Sequence, residues 1–309
     1  MEVRHLELLR DISRRGSLAA VAAATHRTPS ALSQQLRTAE RDMGAKLVEP
    51  DSRGIRLTAA GQLLAEGAED ILQRIAELQA RLDESSGAPR GTVRIGTLPS
   101  AGESLIPPLF AELADTEIQL ELDDFDLAEE DFAAQALDAD IVIGHSVTGD
   151  APAGASGLVS TLLMREPLDI AVPEKHPLAA LNSLSPDDVS RFAWIGVPAR
   201  YPFDSIPVAV EQVTGRSIRR TVRLRDNRLV QSLVVAGQGI ALLPRFTTRP
   251  HRGMVLRPLT GIRSERAIVA LSRPDRYARS AVQEVTGRLI GIGRQIASGV
   301  PPSAAVPTA

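Results

Sequence analysis

Ser30, Ser33, Gln34, Arg37 and Arg41 recur at three- and four-residue steps through a stretch almost free of acids. Together such side chains can do one kind of chemistry: amides and hydroxyls reach base edges in a DNA groove, and guanidinium groups hold phosphates. The spacing places them on one face of a helix, and the other face is apolar: Leu32, Leu36, Ala39 and Met43 form one stripe. Thr28 is a good N-cap, and Pro29 stands where a first helical residue can lack an N–H. Upstream, Ser17 caps a first short helix through about Ala24, and Thr25-His26-Arg27 makes the turn. Two packed helices with a donor-rich second face fit a helix-turn-helix with a major-groove reader. An ordinary helical hairpin with a solvated face would use the same residues.

These residues need elements to hold them. Leu6, Leu8, Leu9 and Ile12 predict a supporting helix over 3–14, closed by Gly16. Gly44 stops the second helix of the pair, and residues 46–58 read as a hairpin wing with a turn-rich tip at 50–54. Arg53 and Arg56 on this wing suit phosphate or the minor groove. Thr58 caps a helix over 59–85 whose Leu63, Leu64, Ile71, Leu72, Ile75, Leu78 and Leu82 form a long stripe. A solitary helix of about 40 Å needs a partner along such a stripe, and the same helix of a second chain supplies one. Glu84–Gly91 is a small, polar linker.

From Thr92 the pattern becomes α/β. Strands at 92–98, 117–125 and 139–145 alternate with helices at 104–113 and 127–137, a doubly wound half-domain. Ligands gather at the carboxyl ends of such strands, here Thr97–Ser100, Asp124-Phe125 and His145-Ser146. Strand-like runs follow at 158–165, 167–173, 192–197, 217–226, 240–244, 255–259 and 266–274, with helices at 208–215, 228–239 and 278–296. A chain crossing twice, near 163–168 and 261–267, implies a second half-domain and a cleft between the two. The tail at 298–309 is expected to be disordered.

Composition narrows the class. The chain has 309 residues, a net charge of −3 and 43% hydrophobic content, ordinary for a globular protein. It has no cysteine, and its five histidines are scattered, so neither disulfide, metal site nor cofactor is expected. No apolar run of about 18 residues suggests a membrane span, and the start lacks a secretory core, so a cytoplasmic protein is expected. Residues 91–160 hold Arg94 alone against many acids, whereas 1–60 and 161–309 are net basic; segments so different have different partners. No G-x-S-x-G elbow frames Ser100, and Gly237-Gln238-Gly239 ends a helix rather than following a strand, so no enzyme is expected.

The ordered motifs resemble the LysR-type transcriptional regulators over about residues 2–297. They are Gly16-Ser17, Ala22-Ala23, Ser30-Ala31-Leu32-Ser33, Ala39-Glu40, Arg56-Leu57-Thr58-Ala59-Ala60-Gly61, His176-Pro177-Leu178-Ala179 and Val235 through Pro244. The sequence departs from the family pattern at Thr25, at Arg27, and at Pro50, where the wing usually carries a positive charge. The resemblance implies a winged helix-turn-helix head at 1–58, a linker or dimerisation helix and hinge at 59–90, and an effector-binding domain at 91–297. That domain would comprise half-domain I (about 91–164 and 265–297) and half-domain II (about 165–264), built like periplasmic binding proteins.

The implied DNA-facing residues are Thr28, Pro29, Ser30, Ser33, Gln34 and Arg37, with Arg53 on the wing. The implied effector residues are Thr97, Ser100, Ala101, Asp124, Phe125, His145, Val197 and Pro198. Ser100 at a helix N-terminus suits an anion, but Asp123, Asp124 and Asp126 oppose one, so an amino acid or another small polar metabolite would satisfy both. The implied partners are double-stranded DNA, that effector, and one or three further copies of the chain. Effector closure of the cleft would re-space paired heads on DNA. A cytoplasmic solute-binding protein, and then a hydrolase using the cleft, are the alternatives.

Overall fold

A computed structural model describes residues 2–25, 27–51, 54–125, 132–199 and 201–299. Its elements in chain order are α1 (Val3–Arg15), α2 (Leu18–Ala24), α3 (Pro29–Met43), β1 (Val48–Asp51), β2 (Gly54–Leu57), α4 (Ala59–Ser86), β3 (Arg90–Thr97), α5 (Pro99–Leu113), β4 (Glu117–Asp124), α6 (Phe132–Gln135) and β5 (Ile141–Ser146). There follow β6 (Val159–Pro173), α7 (Pro186–Val189), β7 (Trp194–Gly196), α8 (Ser205–Thr214), β8 (Arg220–Arg223), α9 (Asn227–Val235), β9 (Ile240–Pro244), β10 (Met254–Arg257), β11 (Glu265–Ser272), α10 (Pro274–Tyr277) and α11 (Ser280–Ala297). The chain forms two compact units: residues up to Gly87 with Pro274–Arg279, and Ala88–Arg273 with the chain from Ser280 onward.

In the first unit α1, α2 and α3 close around Leu8, Leu9, Ile12, Val21, Leu32, Leu36 and Ala39, all buried. Side chains start the helix pair as the residue types dictate: Ser17 Oγ accepts from the Ala20 amide at 3.1 Å and Thr28 Oγ1 from the Ala31 amide at 3.3 Å. Gly16 and Gly44 end α1 and α3 in the left-handed conformation, at φ of 71° and 65°. The wing strands β1 and β2 are antiparallel, with Val48 opposite Leu57 and Glu49 opposite Arg56.

α4 is two-sided. Ala65, Ala68 and Leu72 are buried, Ala68 and Leu72 against Leu6, so the start of this helix completes the head's core. Packing therefore continues across residue 58, where the sequence suggested a boundary. Along the other side Leu63, Ile71, Ile75, Leu78 and Leu82 are exposed, Leu63 by 70%. α10 packs on α4, and Arg10 pairs with Asp275 at 2.9 Å.

The second unit carries a sheet ordered β4-β3-β5-β11-β6-β9-β7-β8, with β10 also on β6. β3 pairs in parallel with β4 and β5, and α11 packs against α5, β3 and β6. β6 belongs to both halves: its first residues, to Pro167, pair with β11, and Leu168–Ala171 pair with β9. The sequence suggested two strands here, at 158–165 and 167–173. One strand of 15 residues forms because the ladder changes partner without breaking at Pro167. The Pro167 carbonyl accepts from the Arg245 amide, and the Leu168 amide donates to Ser264, both at 2.9 Å.

Other expectations shift at their edges. α5 starts at Pro99, five residues before the expected 104, because Pro99 itself serves as the first helical residue. The expected strand at 217–226 shortens to Arg220–Arg223. Of the expected helix at 127–137 the described part is helical only over Phe132–Gln135, and 126–131 lie outside the described residues, as do 300–309 of the tail. Among the described residues no helix is long and apolar enough to cross a membrane.

Two glycines of α4 make opposite predictions. A Cβ on Gly61 would sit 2.1 Å from the Leu47 carbonyl oxygen, whereas one on Gly67 meets nothing within 4 Å. Gly61→Ala should destabilise the head by about 1–3 kcal/mol through this clash with backbone. Gly67→Ala should stabilise the helix by about 0.5–1 kcal/mol. Chemical denaturation of the two variants beside the parent measures both.

Candidate nucleic-acid interface and ligand cavity

On the first unit, Thr28, Pro29, Ser30, Gln34 and Arg37 are exposed along α3 and its N-cap, and Ser33 is half-buried. Leu32, Leu36 and Ala39 fix that orientation by filling the core from the opposite side. Thr28 and Ser30 exchange a hydroxyl hydrogen bond of 3.1 Å, and Gln34 and Arg37 have no side-chain partner among the described residues. Beside this face a groove of about 500 Å³ runs between α3 and the wing, lined by Ser33, Arg37, Glu40, Lys46, Glu49 and Pro50.

Glu40 ties the groove's two sides together. Its carboxylate accepts from the Leu47 amide at 3.1 Å and from Lys46 Nζ at 2.9 Å. Burial pushes its pKa up, but these bonds outweigh burial and hold it below the ordinary 4.5. Arg56 pairs across the wing with Glu49 at 2.9 Å, an exposed pair of small energy. Arg53 lies outside the described residues, as does His26 of the turn.

In the second unit a cavity of about 810 Å³ opens where α5, β5, β11, α9 and the loop after β9 converge. Arg266, 1% exposed, sits at its floor. Its Nε donates to Glu166 Oε2 at 2.9 Å and its Nη2 to Thr247 Oγ1 at 2.8 Å. Both Nη atoms donate to Ser100 Oγ at 3.2 Å, and Nη1 donates to His145 Nδ1 at 3.4 Å. Glu166, fully buried, also accepts from the amides of Phe246 at 2.7 Å and Thr247 at 2.6 Å. A buried ion pair survives only when its remaining donors and acceptors are satisfied in this way.

Arg266 dictates the state of its neighbours. Guanidinium can only donate, so His145 Nδ1 must accept. Burial pushes the His145 pKa well below 6.5, and the positive charge of Arg266 adds to that, so the ring is neutral. Its one proton is then on Nε2, which is buried without a hydrogen-bond partner among the described residues. Ser100 Oγ has both lone pairs occupied by Arg266, leaving its O–H free to donate. Ser100 also stands in the first turn of α5, where amides have no intrahelical acceptor, and its N-cap Leu98 offers no side-chain bond.

The cavity's carboxylates are largely engaged. Glu103 pairs with Arg228 and, at 3.4 Å, with Arg249. Asp226 caps α9 by accepting from the Arg228 and Leu229 amides. Arg225 lies over the Tyr201 ring at 5.7 Å, and Tyr201, Phe203 and His145 form an aromatic wall.

Of the residues expected at the effector site, Ser100, Asp124 and His145 line the cavity. The other five do not. Ala101 is fully buried on the inner side of α5, and the buried Thr97 donates its hydroxyl to the Leu98 carbonyl. The Phe125 ring covers Gly96 and meets Phe132 at 5.8 Å. Val197 packs on the second half's core, and the Pro198 carbonyl accepts from the Tyr201 amide to close a turn. The expectation also overlooked Arg266, Thr247, Tyr201 and Phe203. Arg266 carried a usable signal: an arginine opening the apolar run Ala267–Leu271 must find a partner when the strand is buried.

Two family descriptions match the chain: "Bacterial regulatory helix-turn-helix protein, lysR family" over residues 3–62, and "LysR substrate binding domain" over residues 86–290. The DNA-binding transcriptional dual regulator OxyR of Escherichia coli (strain K12) is 25% identical over 291 residues, covering 92% of this chain and 93% of that protein. Among solved structures, a full-length OxyR variant from Pseudomonas aeruginosa superposes with a TM-score of 0.66 at 16% identity, covering 99% of each chain. Full-length CbnR complexed with its target DNA gives 0.52 at 22% identity, covering 94% of this chain and 100% of that one.

Proposed function

The chain belongs to the LysR family of DNA-binding transcriptional regulators with an effector-binding domain, and we propose that α3 reads its operator while a small carboxylate held at Ser100 is its effector. The observation that carries the second half is the floor of the cavity. Arg266 leaves the Ser100 hydroxyl and His145 Nε2 as donors, and the Ser100 amide stands beside them in the first turn of α5, where the helix supplies no acceptor. A carboxylate supplies acceptors for donors of this kind.

This shifts the balance between the two ligand chemistries. Asp123 is exposed and lies 3.7 Å from Arg94, away from the cavity lining, and Asp126 lies outside the described residues. Asp124 alone of the three lines the cavity, so an amino acid would place its ammonium there and its carboxylate at Ser100. Peroxide is a poor fit as an input by thiol oxidation, because the sequence contains no cysteine. Hydrolysis fits poorly too: Ser100 Oγ is bonded to Arg266, a group that takes no proton, and His145 Nδ1 accepts from the same arginine. The protein acts as a regulator rather than a catalyst on this reading.

For DNA, Thr28, Pro29, Ser30, Ser33, Gln34 and Arg37 form the contact face, with Gln34 on a base edge and Arg37 on phosphate. CbnR, crystallised with its target DNA, offers the precedent in fold. The exposed stripe of Leu63, Ile71, Ile75, Leu78 and Leu82 on α4 pairs with that of a second copy, giving two heads for a two-fold operator. Effector binding and DNA binding are then coupled two-state events at separate sites, in the cytoplasm where the DNA is.

Two experiments test these assignments. After an operator is selected from random duplexes, Gln34→Ala should relax sequence preference by about 1–3 kcal/mol at one base pair. Arg37→Ala should weaken every sequence alike and reduce the salt slope by about one. Equal losses of preference in both variants would contradict the roles given. Calorimetry against a panel of small carboxylates paired with their primary amides should find acids that bind and amides that do not. Ser100→Ala should weaken the bound acid about tenfold; amides binding as well as acids would exclude the donor-only floor as the recognition element.

A further inference from the structure

His5 is the histidine of the first unit's core, and its setting is unusual. It lies in the first turn of α1 and is 1% exposed, yet neither ring nitrogen has a hydrogen-bond partner among the described residues. Nδ1 stands 3.9 Å from Asp42 Oδ2 near the end of α3, too far for a hydrogen bond. One ring nitrogen of His5 and one oxygen each of Glu2 and Asp42 lie within 4.8 Å of one another. Leaving a buried imidazole unsatisfied costs about 1–3 kcal/mol, so something should occupy the space between these groups.

We propose that Glu2, His5 and Asp42 form a zinc site that ties the start of α1 to the end of α3. Zinc takes imidazole nitrogen at about 2.0–2.1 Å and carboxylate oxygen at about 2.0–2.2 Å, so its ligand atoms lie no more than about 4.3 Å apart. The present spread of up to 4.8 Å exceeds that limit by about 0.5 Å, a gap that binding would have to close by rotation of the two carboxylates. Both lie at the surface: Asp42 is exposed, and among the described residues the Glu2 side chain is held by an exposed pair with Arg4 at 2.7 Å. One neutral imidazole and two carboxylates balance the charge of a divalent ion and leave room for water as a fourth ligand. A mixed nitrogen and oxygen set of this kind suits zinc better than magnesium or calcium, which take oxygen.

The inference concerns the head alone and stands independently of the effector cavity. Its physical consequence is local: the end of the proposed reading helix gains a metal-stiffened anchor on α1.

The test uses the full chain with any affinity tag removed, stripped by chelator and dialysed. Zinc chloride titrated by calorimetry should bind at one ion per chain, mass spectrometry of the protein reloaded with zinc and freed of excess should find the same stoichiometry, and zinc should raise the melting temperature. Asp42→Asn and Glu2→Gln, both on exposed side chains, should each weaken zinc at least about tenfold, since loss of an outer-shell partner alone costs about 10–100-fold. His5→Gln should abolish the site, and His251→Gln, at an exposed histidine remote in sequence, should leave it intact. Failure to bind zinc, or undiminished binding by Asp42→Asn, would overturn the proposal. So would an Asp42→Asn variant whose melting temperature falls equally with and without zinc, the mark of a plain imidazole–carboxylate pair.

Discussion

The ion pair between Arg266 and Glu166 is the constraint on which the second unit depends. Both side chains are fully buried, and they sit on the two strands, β6 and β11, that run between the halves of the sheet. Glu166 directly precedes Pro167, where β6 exchanges its partner β11 for β9. Taking two charges out of water is expensive, and removing either partner of such a pair typically costs about 3–5 kcal/mol. The fold offsets that cost by surrounding the pair with donors and acceptors from both halves: Ser100 and His145 on one side, Phe246 and Thr247 on the other. The same contacts that satisfy the arginine fix the protonation of the cavity floor. Stability of the crossing and chemistry of the proposed ligand site are therefore one arrangement.

The first unit is governed by an analogous double use of α4. One side of this helix is committed to the head, where Gly61 lets it approach the Leu47 carbonyl and Ala65 and Ala68 lie against α1 and its neighbours. The other side leaves five large aliphatic residues in solvent. A helix that completes one domain and carries an exposed apolar stripe would fix the geometry of the proposed reading head relative to the proposed pairing surface. Glu40, clasping Lys46 and the Leu47 amide, does the same between the proposed reading helix and the wing.

Local signals in the chain made much of this legible. Ser17, Thr28 and Thr58 cap the helices they were read to cap, and Gly16 and Gly44 end theirs, because capping is decided within three or four residues. The period of α3 revealed which side is buried, since the core demands it. The cavity was legible only in outline. Ser100, Asp124 and His145 could be placed because strand ends are where ligands gather, but beside them in sequence Thr97 and Ala101 are buried and the half-buried Phe125 lays its ring over Gly96. The place of Arg266 is not legible locally because Glu166, His145 and Ser100 lie 100, 121 and 166 residues away and Thr247 lies 19 away, and no local period encodes such distances. The single strand β6 was read as two because Pro167 usually interrupts a ladder; here it falls where the ladder changes partner.

The state of His145 tests the role given to Arg266 most directly. Nitrogen-15 NMR of histidine-labelled full-length protein, with the resonances assigned by difference against His145→Gln, reports the protonation of each ring nitrogen. At pH near 6.5 the ring should be neutral, with the proton on Nε2 and a bare Nδ1, and it should stay so as the pH falls well below that value. A doubly protonated ring at that pH, or a neutral ring carrying its proton on Nδ1, would contradict the donor role of Arg266 and with it the donor-only floor of the cavity.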